Sequence, residues 1–167
     1  SIKDDKKLEK IFIKGNLSID LMLKLESFIK GNKVPLAVRS YSLLEDSQYQ
    51  PLAGTYATYM LPNNSRSEKK RFNDLIRSIK LVYASTFKGE AKSLLHNTAH
   101  RIEEEKMAVI LQEISGKNYN NKRFYPTFSG VLKSINYYPI SYMKREEGVA
   151  YLSLGFGRTI VDGEKCL

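Results

Sequence analysis

Residues 34–61 constrain the fold more than any other part of the chain, because they run out and back around a polar loop. Val34-Pro-Leu-Ala-Val38 is a short apolar run that reads as a strand and delivers Arg39 and Ser40 at its end. A polar loop holding Glu45 and Asp46 follows, and the chain returns through Ala53, Gly54 and Thr55 into a second strand-like run, Tyr56–Leu61. An arginine, hydroxyls and a glycine gathered at strand ends suit a polyphosphate. Arginine offers a permanent charge and a planar fork of donors. Glycine lets backbone N–H groups approach an anion closely. Two bland readings compete: Arg39 pairing with Glu45 or Asp46, and Gly54 and Thr58 serving only as strand residues.

Hydrophobic periodicity places the other elements. Residues 1–16 are mostly charged and ambiguous. Ser18 is a candidate N-cap for a helix carrying Ile19, Met22, Leu25, Phe28 and Ile29 on one side, with Gly31 and Asn32 able to stop it. Pro62-Asn-Asn signals a turn, and Ser65 with Glu68 forms a candidate capping box. The helix behind it has Phe72, Leu75, Ile76, Ile79 and Val82 at helical spacing. A further helix is expected from Glu90 to about Glu104. Strands are then expected over 106–114, 124–136 and 147–154. Helices and strands followed by strands imply an α+β architecture, with helices packed on a mostly antiparallel sheet.

At 167 residues the chain is long enough for one domain or part of one, and 42% apolar residues can supply a core. No run approaches the ~20 apolar residues of a membrane span, and no signal-peptide pattern opens the chain. Cys166 is the single cysteine, which precludes an internal disulfide and suits a reducing cytoplasm. The net charge of +9 favours anionic partners, nucleotide or nucleic acid. The basic residues are spread out, often beside acids, so most read as solvated surface. Tyr119, Tyr125, Tyr137, Tyr138 and Tyr142 could stack bases, but tyrosines at strand positions usually pack, and nucleic acid is not the expected partner. His96 and His100 have two-histidine metal spacing on the expected helix, but no glutamate stands between them and helix packing is the plainer role. No metal site is expected from this chain.

Four blocks in order carry a family resemblance. Val38-Arg39-Ser40, Glu45-Asp46 and Ala53-Gly54-Thr55-Tyr56-Ala57-Thr58 resemble the V-R-S-S-A-T-x-E-D … F-A-G-Q-x-x-T signature of phosphoenolpyruvate synthase and pyruvate phosphate dikinase. Met107–Ile114 resembles that family's strand ending V-Q-x-M. Phe128–Leu132 resembles its S-G-V-x-F, and Leu154–Gly163 its G-L-G-E-x-V-V-x-G. The blocks span residues 34–163.

The resemblance implies part of an ATP-grasp nucleotide-binding domain, in which two α+β lobes hold ATP between sheets. It implies a single partial domain over 1–167: a helical lead-in (1–33), a phosphate-side region (34–104) and a strand-rich adenine-side region (105–167). It places Arg39 on ATP phosphates as the catalytic arginine, with Ser40, Gly54, Thr55 and Thr58 nearby. Gln112 and the backbone of Glu113 and Ile114 would read adenine. In the family, ATP phosphorylates a histidine carrier domain of the same chain, which passes phosphate to pyruvate or another acceptor. The family draws its phosphate-binding lysine from upstream and its Mg²⁺-binding acids from a downstream D-x-E strand. Neither segment stands here, so a central fragment, inactive alone, is expected. This sequence also departs from the pattern. Tyr41-Ser-Leu-Leu44 replaces S-A-T and its neighbour, Lys133-Ser134 replaces F-T, and Arg158 replaces the Glu of G-L-G-E. A degenerate, non-catalytic nucleotide-binding or scaffolding module is the alternative these departures favour.

Overall fold

A computed structural model of the chain describes residues 4–42, 55–96, 106–120 and 123–157. They divide into two compact units, Ser1–Ile114 and Ser115–Leu167. The first is built from α1 (Asp5–Lys14), α2 (Ile19–Gly31), β1 (Leu36–Ser42), β2 (Tyr59–Leu61), α3 (Glu68–Ser85), α4 (Gly89–His96) and β3 (Met107–Glu113). The second holds β4 (Lys117–Tyr119), β5 (Arg123–Tyr125), β6 (Phe128–Lys133), a 3₁₀ turn (Arg145–Glu147) and β7 (Val149–Leu154). Every strand pairing among the described residues is antiparallel, and the architecture is α+β.

In the first unit the sheet order is β2–β1–β3, with β1 central. Its register sets Leu36 opposite Leu61 and Glu113, and Val38 opposite Tyr59 and Leu111. Directly paired residues share a face. One face therefore carries Leu36, Val38, Tyr59, Leu61, Val109 and Leu111. It packs on α2 and α3 through Leu25, Ile29, Leu75, Ile76, Ile79 and Val82. Ile29, Leu36, Val38, Leu75 and Val82 are fully buried at this junction, each contributing roughly 1.5–3 kcal/mol of transfer free energy.

The strand runs past the boundary expected from sequence. β1 continues through Arg39 and Ser40 to Ser42, because β3 offers a partner at every one of its seven positions. Ser40 and Ser42 take the buried alternation and Arg39 and Tyr41 the exposed one. The expected capping box is replaced by another cap. Ser67 accepts from the Lys70 N–H, while the Ser65 hydroxyl accepts from the Ser67 N–H. The expected second strand shortens to β2. The expected run 124–136 breaks into β5 and β6 at Pro126, which cannot donate to a ladder. Residues 97–105, the end of the helix expected to reach Glu104, lie outside the described ones.

The ambiguous N-terminal region is helical. Asp4 caps α1 by accepting from the Lys6 and Lys7 N–H groups. Leu8 is buried, and Phe12 meets Phe87 at 5.6 Å between ring centroids. Two polar ties fasten α1 to the α3–α4 junction: the Gly89 N–H donates to Asp5, and Lys88 Nζ lies 2.6 Å from Glu9 Oε1.

Those ties make stability sensitive to alkali. The hydrogen bond to Glu9 raises the Lys88 pKa above its ordinary 10.5. Burial raises the Tyr59 phenol above its ordinary 10.0. The folded state thus keeps protons that the unfolded state releases near pH 10, so both contributions are complete below about pH 10 and fade above it. The urea midpoint is expected to fall between pH 9 and 11, and less steeply in Glu9→Gln. An equal slope in the variant would show that the pair contributes nothing.

Candidate functional site

The sheet of the first unit has one face covered by helices. Register and burial place Arg39, Tyr41, Met60, Ile110 and Gln112 on the opposite face. Their exposure is high for apolar side chains: Tyr41 53%, Met60 57% and Ile110 40%. Ala37, opposite both Met60 and Gln112, lies between them. The face combines exposed apolar side chains with two fixed polar ones, Arg39 and Gln112.

Arg39 is fixed on this face. It lies opposite Ile110, and its Nη1 donates to Oε1 of Gln112, one pair further along, at 3.0 Å. The structure therefore joins two candidates separated by most of the first unit, from the V-R-S block and from the V-Q block. The bond uses one guanidinium N–H of the five that an arginine carries. It also occupies the Gln112 carbonyl and so orients the Gln112 NH₂ group.

The remaining candidates separate. Ser40 is 7% exposed and faces the helices, away from Arg39. Glu113 also takes the helix-side alternation, and its Oε1 accepts from Asn32 Nδ2 at 2.7 Å. The Ile114 N–H donates to Pro35 O at 2.9 Å. Thr55 is half-buried and Thr58 exposed. Their segment is held to the end of α3 by a bond from the Ala57 N–H to the Ser85 hydroxyl. Continuing the β1–β2 register by one residue sets Thr58 opposite Arg39. Gly54, Glu45, Asp46, His100, Arg158 and Cys166 lie outside the described residues, so the competing ion pair of Arg39 does too. Among the described residues no group of three metal-binding side chains forms.

Sequence reasoning missed Tyr41, Met60 and Ile110. The signal was the period-2 alternation, which becomes readable once the β1–β3 register is known.

In the second unit the third and fourth blocks meet each other. β6 pairs with β7 over their full lengths, and the Ser129 hydroxyl donates to the Gly155 carbonyl. Gly130 lies opposite Leu152, where an added Cβ would stand 2.6 Å from Leu152 Cδ2 and 2.7 Å from the Tyr151 carbonyl. The glycine of the S-G-V block is thus required by close approach of the strands.

The sequence model of the pyruvate phosphate dikinase AMP/ATP-binding domain matches residues 2–165. The chain belongs to that family, whose members are kinase-type enzymes. No curated protein matches it.

Gly130→Ala is expected to force β6 from β7 and to destabilise the second unit by about 1–3 kcal/mol. Hydrogen exchange at Ser129–Leu132 would rise while β1 stays protected. Unchanged exchange in β6 would contradict the crowding.

Proposed function

We propose, with membership of the AMP/ATP-binding family as the premise, that this chain binds ATP on the face of β2–β1–β3 opposite its helices. The observation that carries this reading is the Arg39–Gln112 bond on a sheet face left open by the helices. In the intact protein the bound ATP would phosphorylate a histidine on a carrier domain, for transfer to pyruvate or another acceptor.

Each residue has a role in this reading. Arg39 holds phosphate oxygens with its remaining N–H donors and balances their charge. Gln112 fixes the guanidinium and offers its NH₂ group. The Gly54–Thr58 segment lies over the phosphates, and Thr58 adds a hydroxyl beside Arg39. Met60, on the Ile114 side of Arg39, supplies apolar surface to the base, and the backbone of Ile114 supports adenine recognition from the end of β3; Ile110 and Tyr41 flank the guanidinium instead. Ser40 and Glu113 act through the strand backbone, since their side chains take the helix side. Mg²⁺ would neutralise phosphate charge during transfer. The described face presents no carboxylate, so its ligands belong to other segments. A cytoplasmic location fits this chemistry.

The second reading is a nucleotide-binding module without phosphotransfer. Arg158 in place of the family's Glu favours it, because a guanidinium cannot hold Mg²⁺. The two readings share the ATP site and differ in turnover.

Calorimetry of ATP binding to the intact protein tests the site. Arg39→Ala removes a charge-assisted contact of roughly 1.5–3 kcal/mol, so affinity should fall about tenfold or more. Equal affinity in wild type and Arg39→Ala would overturn the assignment.

A further inference from the structure

The segment ahead of β2 is pinned by a side chain that lies outside the proposed ATP face. Among the described residues the pairing of β1 with β2 ends at Val38 and Tyr59, so the residues before Tyr59 are held in some other way. Carried on, the same register would set Ala57 opposite Ser40. The Ala57 N–H turns instead to the last residue of α3 and donates to Ser85 Oγ at 3.1 Å. Its neighbour Tyr56 is buried, 5% exposed. One backbone bond and one buried ring therefore fix the segment, while Thr58, the next residue, stays exposed.

The Ser85 hydroxyl is set up to receive that bond. Ser85 is 3% exposed, and its hydroxyl donates to Val82 O at 2.6 Å. A serine hydroxyl has one hydrogen to give, and the Val82 carbonyl takes it. Toward Ala57 the oxygen can only accept, which is what an N–H requires. Bonds in such a chain polarise one another, so donation to Val82 strengthens the oxygen as an acceptor. Alanine at this position would leave the Ala57 N–H without its partner, at a place where no strand stands ready to replace it.

We propose that Ser85 is a positioning residue for the phosphate end of the ATP site. It touches no ligand. It acts through the Ala57 N–H on Thr58, which the extended register sets opposite Arg39. This role rests on ATP binding at Arg39, proposed above, and adds to it the group that holds the covering segment in place. The base end of the face lies further along the sheet, toward Met60 and Ile114. There β1 has a partner strand on both sides and needs no such tie. Ser85 therefore matters to the phosphates and not to the base.

The test compares ATP with adenosine on the intact protein, by calorimetry for ATP and by its displacement for adenosine. Ser85→Ala should weaken ATP about three- to tenfold, the worth of one hydrogen bond, and leave adenosine within about twofold. A merely structural role would weaken both ligands alike or neither, and either result would overturn the proposal. Arg39→Ala, measured beside it, separates this role from the site it serves. Weaker ATP binding in Arg39→Ala with none in Ser85→Ala would remove the role of Ser85 and keep the site. Unchanged ATP binding in both would remove the two together. Amide exchange in the unsubstituted protein gives a second measurement. ATP should slow exchange at Ala57 and adenosine should not. No slowing by ATP, or equal slowing by adenosine, would overturn the proposal.

Discussion

The seven-residue pairing of β1 with β3 is the interaction on which the first unit depends. It makes β1 the central strand, with Leu36 and Val38 driven into the helices and Arg39 turned the other way. A shift of one residue would bury Arg39 among Leu75, Ile79 and Val82 and expose Val38, because strand side chains alternate. The cost of burying an unpaired guanidinium in that core exceeds any single packing gain. The pattern that forms the core therefore also fixes the site's polarity. The Arg39–Gln112 bond follows from the same register, which sets Gln112 one pair beyond Ile110 on the open face.

Much of this was legible in the chain. The α2 and α3 periodicities identified their buried faces, except that Ile19, expected on the α2 face, is 80% exposed, and Val34–Val38 with 106–114 located the two principal strands. The family blocks identified Arg39 and Gln112 separately. Their meeting was not legible, since it requires an antiparallel register between segments separated by two helices. The helix-side orientation of Ser40 was hidden because a strand was expected to stop before it. α1 was hidden by the density of charge in the first sixteen residues, although Leu8, Ile11 and Phe12 stand at helical spacing. Its cap at Asp4 and the burial of Leu8 against the rest of the unit decide it. Arg71 read as surface because it stands in a run of basic residues, yet Ser65 and Ile29 carbonyls hold its head inside.

The family blocks occur in two pairs. The V-R-S and V-Q blocks join in the sheet of the first unit, and the S-G-V and G-F-G blocks join in the β6–β7 hairpin of the second. Each pair has its own reason for close contact: a side-chain bond across a sheet in one, and a glycine where strands crowd in the other. Departures such as Tyr41 and Lys133 fall at positions that leave these contacts intact. The family scaffold can thus persist while the chemistry drifts.

Chemical-shift mapping of ATP onto the labelled chain tests the central claim most directly. The account predicts that the largest changes fall on Ala37–Tyr41, Thr58–Met60 and Ala108–Gln112, the strand segments that carry the sheet face opposite the helices. Changes centred on other elements, or none at millimolar ATP, would contradict it.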